Sequence, residues 1–246
     1  MVERAGEMEN KINELVEKLK GAAAGNLKAV VLYGSSVTGE FSAGHSKINI
    51  LCIVNDAGAA KIEALHSPAE WWVGQGHPAP LIFTMEELRR SADIFAIELL
   101  DIQAHHKMLF GEDFLAGLSV PARLHRLQVE RELRTNWLRL RETILIAPRK
   151  ANVLLDVMRA SFSSFATLFR HALIALGEKP AESKREGIDR VAQLTNADPV
   201  GFHVILNLRE GKRKEKDIDV EDTLRRYCEM VEAVTDLVDK RLDAQS

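Results

Sequence analysis

Two short polar stations interrupt the apolar first half of the chain, and one of them carries a lysine whose charge needs a partner. The first is Gly34-Ser35-Ser36, directly after the apolar run Leu27–Tyr33. The second is Ser46-Lys47-Ile48-Asn49, which opens another apolar run through Val54. Residues i and i+2 of a strand share a face about 7 Å apart, so Lys47 and Asn49 point the same way. Lys47 must keep its charge solvated or paired, because burying an ammonium alone costs several kcal/mol or lowers its pKa. One solution is an anion at the Gly34-Ser35 turn; the other, which we favour here, is an internal pair with Glu98 or Asp101. These two carboxylates lie in Phe95–Ile102, which reads as a strand. Their odd separation then places them on opposite faces, so at most one meets the Lys47/Asn49 row.

The elements that must position these groups follow from hydrophobic period. Ile12, Leu15, Val16 and Leu19 repeat at three and four and predict a helix ending near Gly21. Leu27–Tyr33 and Lys47–Val54 are short runs rich in β-branched residues and predict buried strands, joined by a link carrying Gly39, Ser42 and Gly44. Pro80–Phe83 and Phe95–Ile102 predict two more strands, with a short helix over Met85–Arg90 and a loop over Trp71–Pro80. After Pro121 only helical spacing remains. Helices are expected from about 123 to 147, 152 to 176, 184 to 194, 200 to 208 and 220 to 242, with Gly177 capping the second. The expectation is therefore an α/β (α+β) domain over 1–120, with a mixed sheet and flanking helices, and an all-α bundle over 121–246.

Strand, Gly-Ser turn, link and Ser-x-x-x strand start together resemble the nucleotidyltransferase superfamily that includes kanamycin nucleotidyltransferase and DNA polymerase beta. The resemblance implies a triphosphate held at the turn and two aspartates, spaced i and i+2, gripping divalent ions with a third carboxylate from a neighbouring strand. Gly34 and Ser35 match the turn, and Ser46 matches the serine before the aspartates. Lys47 and Asn49 stand where the two aspartates belong. A protonated ammonium does not ligate Mg²⁺ and repels it by ~4 kcal/mol per unit charge at 4 Å and an effective dielectric of 20, while Asn49 offers one neutral oxygen. No metal ligand is assigned, and no cofactor is required. Phe95–Ile102, His105-His106-Lys107 and Leu109–Asp113 also look like the last strand and exit helix of nucleotidyltransferase-like bacterial proteins, and the helical second half fits kanamycin-type enzymes, where it helps hold the acceptor.

The functional expectation is a nucleotidyltransferase fold whose metal chemistry is lost and whose role is nucleotide or anion binding, regulation or partner contact. In that reading the phosphate-binding set is Gly34, Ser35, Ser36, Ser46 and Lys47, and Lys47, Asn49, Glu98 and Asp101 occupy the catalytic positions. The alternative is a working enzyme that uses Mg²⁺ and a nucleoside triphosphate to pass a nucleotidyl group to a small-molecule or protein hydroxyl, with Glu98 or Asp101 holding the metal. A third reading is a homodimer built on exposed aromatics such as Trp71-Trp72. Elsewhere, Arg159, Arg170 and His171 interrupt an apolar helix and are candidates for a second pocket, with Ser161, Ser163 and Ser164 beside them. His105 and His106 are adjacent and cannot chelate one metal from a helix. The arginines of 123–141 and the cluster Lys212–Lys216 read as solvated faces.

Composition narrows the classes. Of 246 residues, 46% are hydrophobic and 28% charged, which is globular rather than disordered. The net charge of -3 divides unevenly. Residues 1–120 hold 10 Lys+Arg against 16 Asp+Glu, and the remainder 23 against 20, so nucleic acid is not an expected partner. Cys52 and Cys228 lie in apolar-periodic segments without a second metal-ligating neighbour and read as reduced core thiols. No stretch reaches the roughly 20 apolar residues of a membrane span, and a cytoplasmic location is expected.

Overall fold

The computed structural model of the chain describes residues 2–37 and 47–243, without the side chains of 2–5, 35, 242 and 243. Ser46 and the linking residues Gly39, Ser42 and Gly44 lie outside the described residues. The chain divides into two compact units, Met1–Pro121 and Ala122–Ser246.

In the first unit the apolar runs become strands with both faces covered. β1 (Leu27–Tyr33) pairs antiparallel with β2 (Asn49–Val54) and with β4 (His106–Phe110), while β3 (Leu81–Thr84) lies parallel to β2, giving the order β3-β2-β1-β4. Alternate residues feed two cores. Val30, Leu32, Ile50 and Cys52 pack against Leu15 and Leu19 of α1 (Val2–Ala23) and Trp72 of α3 (His66–Gly74). Val31, Leu51 and Ile53 pack against Leu88 of α4 (Met85–Arg90) and Leu99 and Ile102 of α5 (Ala96–Ala104). A short α2 (Ala59–Ala64) precedes α3 in the crossover from β2 to β3, as a parallel pair requires. The α4 helix starts with a capping box between Thr84 and Glu87, which satisfies two of its free N–H groups.

Two expectations are corrected. Ala96–Ala104 is a helix, and the last strand is His106–Phe110 instead. Its buried residues Ala96, Leu99 and Ile102 recur every third position, and Ala, Glu, Leu and Gln are strong helix formers. A 3-10 turn over Ser91–Asp93 already starts the chain coiling, and Phe95 N–H donates to the Ser91 carbonyl at 2.8 Å. Trp71 and Trp72 lie on α3, not in a loop; the irregular link begins after Gly74.

The second unit contains α6 (Ala122–Ile146), α7 (Ala151–Ala175), α8 (Lys184–Thr195), α9 (Val200–Arg209) and α10 (Val220–Asp243), and no strand among the described residues. The core is aromatic. Phe202 stacks on Tyr227 at 4.0 Å and 10°, and Phe165 meets Tyr227 edge-on at 80°. Such pairs add roughly 0.5–1.5 kcal/mol beyond their buried area. Gly201 lets α9 and α10 touch backbone to backbone: a Cβ there would lie 2.5 Å from the Tyr227 nitrogen and 2.9 Å from the Thr223 carbonyl oxygen.

Candidate functional site

The site forms where β1 ends and β2 begins. Tyr33 leaves the strand extended, and Gly34, at φ +84°, bends the chain into a 3-10 turn over Gly34–Ser36. A side chain at that φ is strained, so glycine suits the turn. Three hydrogen bonds fix it: Val37 N–H donates to the Gly34 carbonyl at 2.9 Å, the Ser36 hydroxyl donates to the Tyr33 carbonyl at 3.3 Å, and Gly34 N–H donates to the His105 carbonyl at 3.3 Å. The last bond ties the turn to the residue that ends α5. Gly34 N–H and the Ser36 hydroxyl are thus engaged within the fold.

Tyr33 pairs in register with Asn49, which brings the start of β2 beside the turn. A Cβ on Gly34 would sit 3.1 Å from Asn49 Nδ2, so the half-buried amide faces the turn. Asn49 shares its sheet face with Leu51 and Ile53, the face covered by α4 and α5. Lys47 precedes it by two residues and is exposed. His77, a residue not singled out by sequence reasoning, steadies this start: Ile48 N–H donates to its Nδ1 at 3.4 Å, and its ring lies 4.4 Å from Trp72. Burial, and then the nearby positive charge of Lys11, lower the His77 pKa. The neutral ring is the form that can accept at Nδ1.

The carboxylates fall elsewhere. None of the four strands contains Asp or Glu. Glu98 and Asp101 stand three apart on α5, so they share one side of a helix rather than opposite faces of a strand. Glu98 is exposed and Asp101 half-buried. The expected pair with Lys47 is not seen; Lys47 makes no ion pair among the described residues. Among the described residues no group of three or more His, Cys, Asp or Glu is placed to hold a metal ion. The structure brings Gly34, Ser36 and Asn49 together with the exposed Lys47 beside them, and it describes Ser35 by its backbone alone.

Several of the second-unit candidates are engaged by neighbours. Arg159 is bound by Glu215 at 2.6 Å and Asp156 at 3.5 Å. His171 is fully buried and joined to His125 at 2.9 Å between Nδ1 and Nε2. The Ser161 hydroxyl bonds the Tyr227 hydroxyl at 3.0 Å, and Ser163 accepts from Arg209 at 2.9 Å. His106 bridges the Gln103 carbonyl and Asp113, holding the exit from α5 to β4. A cleft of about 690 Å³ opens at the far ends of β2 and β3, lined by Lys28, Ile53, Asn55, Glu86, Glu112 and Phe114.

A mixed four-stranded sheet, a glycine-serine turn between its first two strands and a helical second unit define a nucleotidyltransferase-like fold. The solved spectinomycin adenyltransferase AAD(9) from Enterococcus faecialis, with ATP and spectinomycin, matches over 91% of this chain and 99% of that one, at a TM-score of 0.57 and 14% identity. A nucleotidyltransferase-like protein from Exiguobacterium sibiricum matches over 92% of this chain and 74% of that one, at a TM-score of 0.39 and 13% identity. No protein-family model and no curated protein matches the chain by sequence. Among the described residues no helix is long and apolar enough to cross a membrane.

Proposed function

We propose that this nucleotidyltransferase-fold protein binds a nucleotide or a similar phosphate-bearing anion without a metal and does not transfer it, serving regulation or partner contact. The observation that carries the reading is the strand start: Lys47 and Asn49 stand where the resemblance calls for carboxylates, and no strand supplies a third. The Asn49 amide facing the turn and the exposed Lys47 offer donors and one positive charge to a phosphate. They offer nothing that would polarise it as two metal ions do. The ATP in the AAD(9) structure supports a nucleotide as the class of anion. In the same reading, 1–120 is the anion-binding domain and 121–246 a domain for contact with a partner.

Titration calorimetry with ATP in EDTA, alongside a pyrophosphate-release assay in Mg²⁺, tests it. Binding in EDTA is expected, weakened about fivefold or more by Lys47→Ala, since one unit charge at 4 Å in water is worth ~1 kcal/mol per phosphate charge. Pyrophosphate release is expected to stay at background. Mg²⁺-dependent release abolished by Gly34→Ala would instead establish the enzyme. Absence of any ATP binding defeats both readings.

A further inference from the structure

A cleft of about 510 Å³ opens in the second unit, lined by the end of α6, the start of α7 and α10. Small-molecule sites commonly span roughly 300–1,000 Å³. On α10 the lining residues are Glu221, Leu224, Arg225 and Cys228. Their spacing of three, four and seven puts all four on one side of that helix. Ile144 of α6 and Leu154 of α7 complete the apolar lining. Leu154 and Leu224 are buried, and Ile144 and Cys228 half-buried, so the cleft reaches down to the edge of the helical core. Cys228 counts with the apolar groups: burial, and then the nearby Glu232 and Glu229, push its thiol up to about 11, which keeps it uncharged near neutral pH.

Three charged groups line the same cleft, and one of them is occupied: Arg225 is held by Asp222 at 2.6 Å and by Glu229 at 2.8 Å. The other two are Arg149, in the turn between α6 and α7, and Glu221, in the first turn of α10. Both are exposed, and neither makes an ion pair among the described residues, not even with the other. A guanidinium and a carboxylate that share a cleft yet stay apart are complementary to a molecule carrying both opposite charges. An apolar anion would meet Arg149 but be repelled by Glu221, and an apolar amine would do the reverse. A neutral apolar molecule would displace water from both and return no hydrogen bond to either. A zwitterion with an apolar body answers every group. Its carboxylate suits the fork of Arg149, its ammonium suits Glu221, and its body suits Ile144, Leu154 and Leu224.

We propose that this cleft binds a small apolar zwitterion, the chemistry shared by a free amino acid such as leucine and a short apolar peptide, between Arg149 and Glu221. All of its lining belongs to the second unit, and the claim is independent of the anion site.

Saturation-transfer NMR titrations of the full chain with leucine and with leucyl-leucine measure the affinity. Modification of Cys228 by N-methylmaleimide at pH 8.5, followed by mass spectrometry, places the ligand, with the fully buried Cys52 as the unreactive reference. At least one of the two zwitterions should bind and slow the modification of Cys228 in proportion to occupancy, and the tighter of the two identifies the source. Arg149→Gln and Glu221→Gln should each weaken binding about tenfold or more. Removing either charge from the ligand, in isopentylamine and in isocaproate, should do the same, while Lys240→Gln further along α10 leaves the affinity unchanged. Thermal melts of these surface variants without ligand should match the parent, which separates lost binding from lost folding. The proposal is overturned if neither zwitterion binds, if the amine or the acid binds as tightly, or if both charge variants bind as the parent does. It is equally overturned if Cys228 reacts at one rate with and without ligand, or does not react in the native chain.

Discussion

Replacing Gly34 by alanine perturbs the turn in two separable ways. The new Cβ must be held at φ +84°, which costs an L-residue roughly 1–2 kcal/mol. It also arrives 3.1 Å from Asn49 Nδ2, close enough that the amide must give by a few tenths of an ångström and is covered by a methyl group on the side of the turn. Gly25 provides the control: its φ is +82°, and a Cβ there meets nothing within 4 Å. Both variants should therefore lose about 1–2 kcal/mol, a fall of about 2–8 °C in melting temperature for a chain of this size. Anion binding should part them. A hydrogen bond to a charged group is worth about 1.5–3 kcal/mol, so losing the Asn49 donor should weaken ATP binding in EDTA about tenfold or more in Gly34→Ala and leave Gly25→Ala as the parent. Calorimetric melts and titrations on the three proteins decide the matter. Equal ATP affinity in Gly34→Ala and Gly25→Ala would refute the assignment of Asn49 to the anion, and an unchanged melt for Gly34→Ala would refute the strain argument.

In the helical unit, Gly201→Ala sets a Cβ against the backbone of Tyr227 and Thr223, which yields less readily than a side chain. It should destabilise by about 3 kcal/mol or more, and a urea midpoint equal to that of the parent would show that α9 does not sit this close to α10. The His77 pKa is lowered in the folded chain, so its stabilising effect is present above the free value of 6.5 and is lost as pH falls below it toward the folded value. Urea midpoints should drop between pH 7 and 5 in the parent and drop less in His77→Phe; identical slopes would remove His77 from the support of β2. Cys52 is pushed up to about 12 by burial, from 9.0. Iodoacetamide at pH 8 should therefore leave it unmodified until the chain unfolds, and labelling at the rate of a free thiol would contradict its place in the sheet.

Elements whose own residues carry the period were legible from the amino-acid string. Leu27–Tyr33 is an inner strand whose run is apolar on both faces, which suits a strand covered by helices on either side. Met85–Arg90 follows its capping residues, and α6 to α10 follow spacings of three and four over ten or more residues. Gly34 and Asn49 were named from the resemblance of the two polar stations to a family motif, and register brings them together.

The misreading of Ala96–Ala104 shows where that legibility stops. A nine-residue stretch that is mostly apolar, with two acids three residues apart, reads as a short apolar strand or as a helix. The choice came from the coiled approach at Ser91–Asp93 and from Leu99 and Ile102 meeting the sheet face of Leu51 and Ile53. With the helix, Glu98 and Asp101 moved off the sheet, and their expected partner Lys47 was left exposed. His77 and His105 could not be found by motif. One contributes a ring nitrogen and the other a backbone carbonyl to groups 29 and 71 residues away in sequence. Composition and period act over a few neighbouring residues. Which distant acceptor meets a given N–H depends on strand order and on the helices packed over the sheet, and those are properties of the folded chain alone.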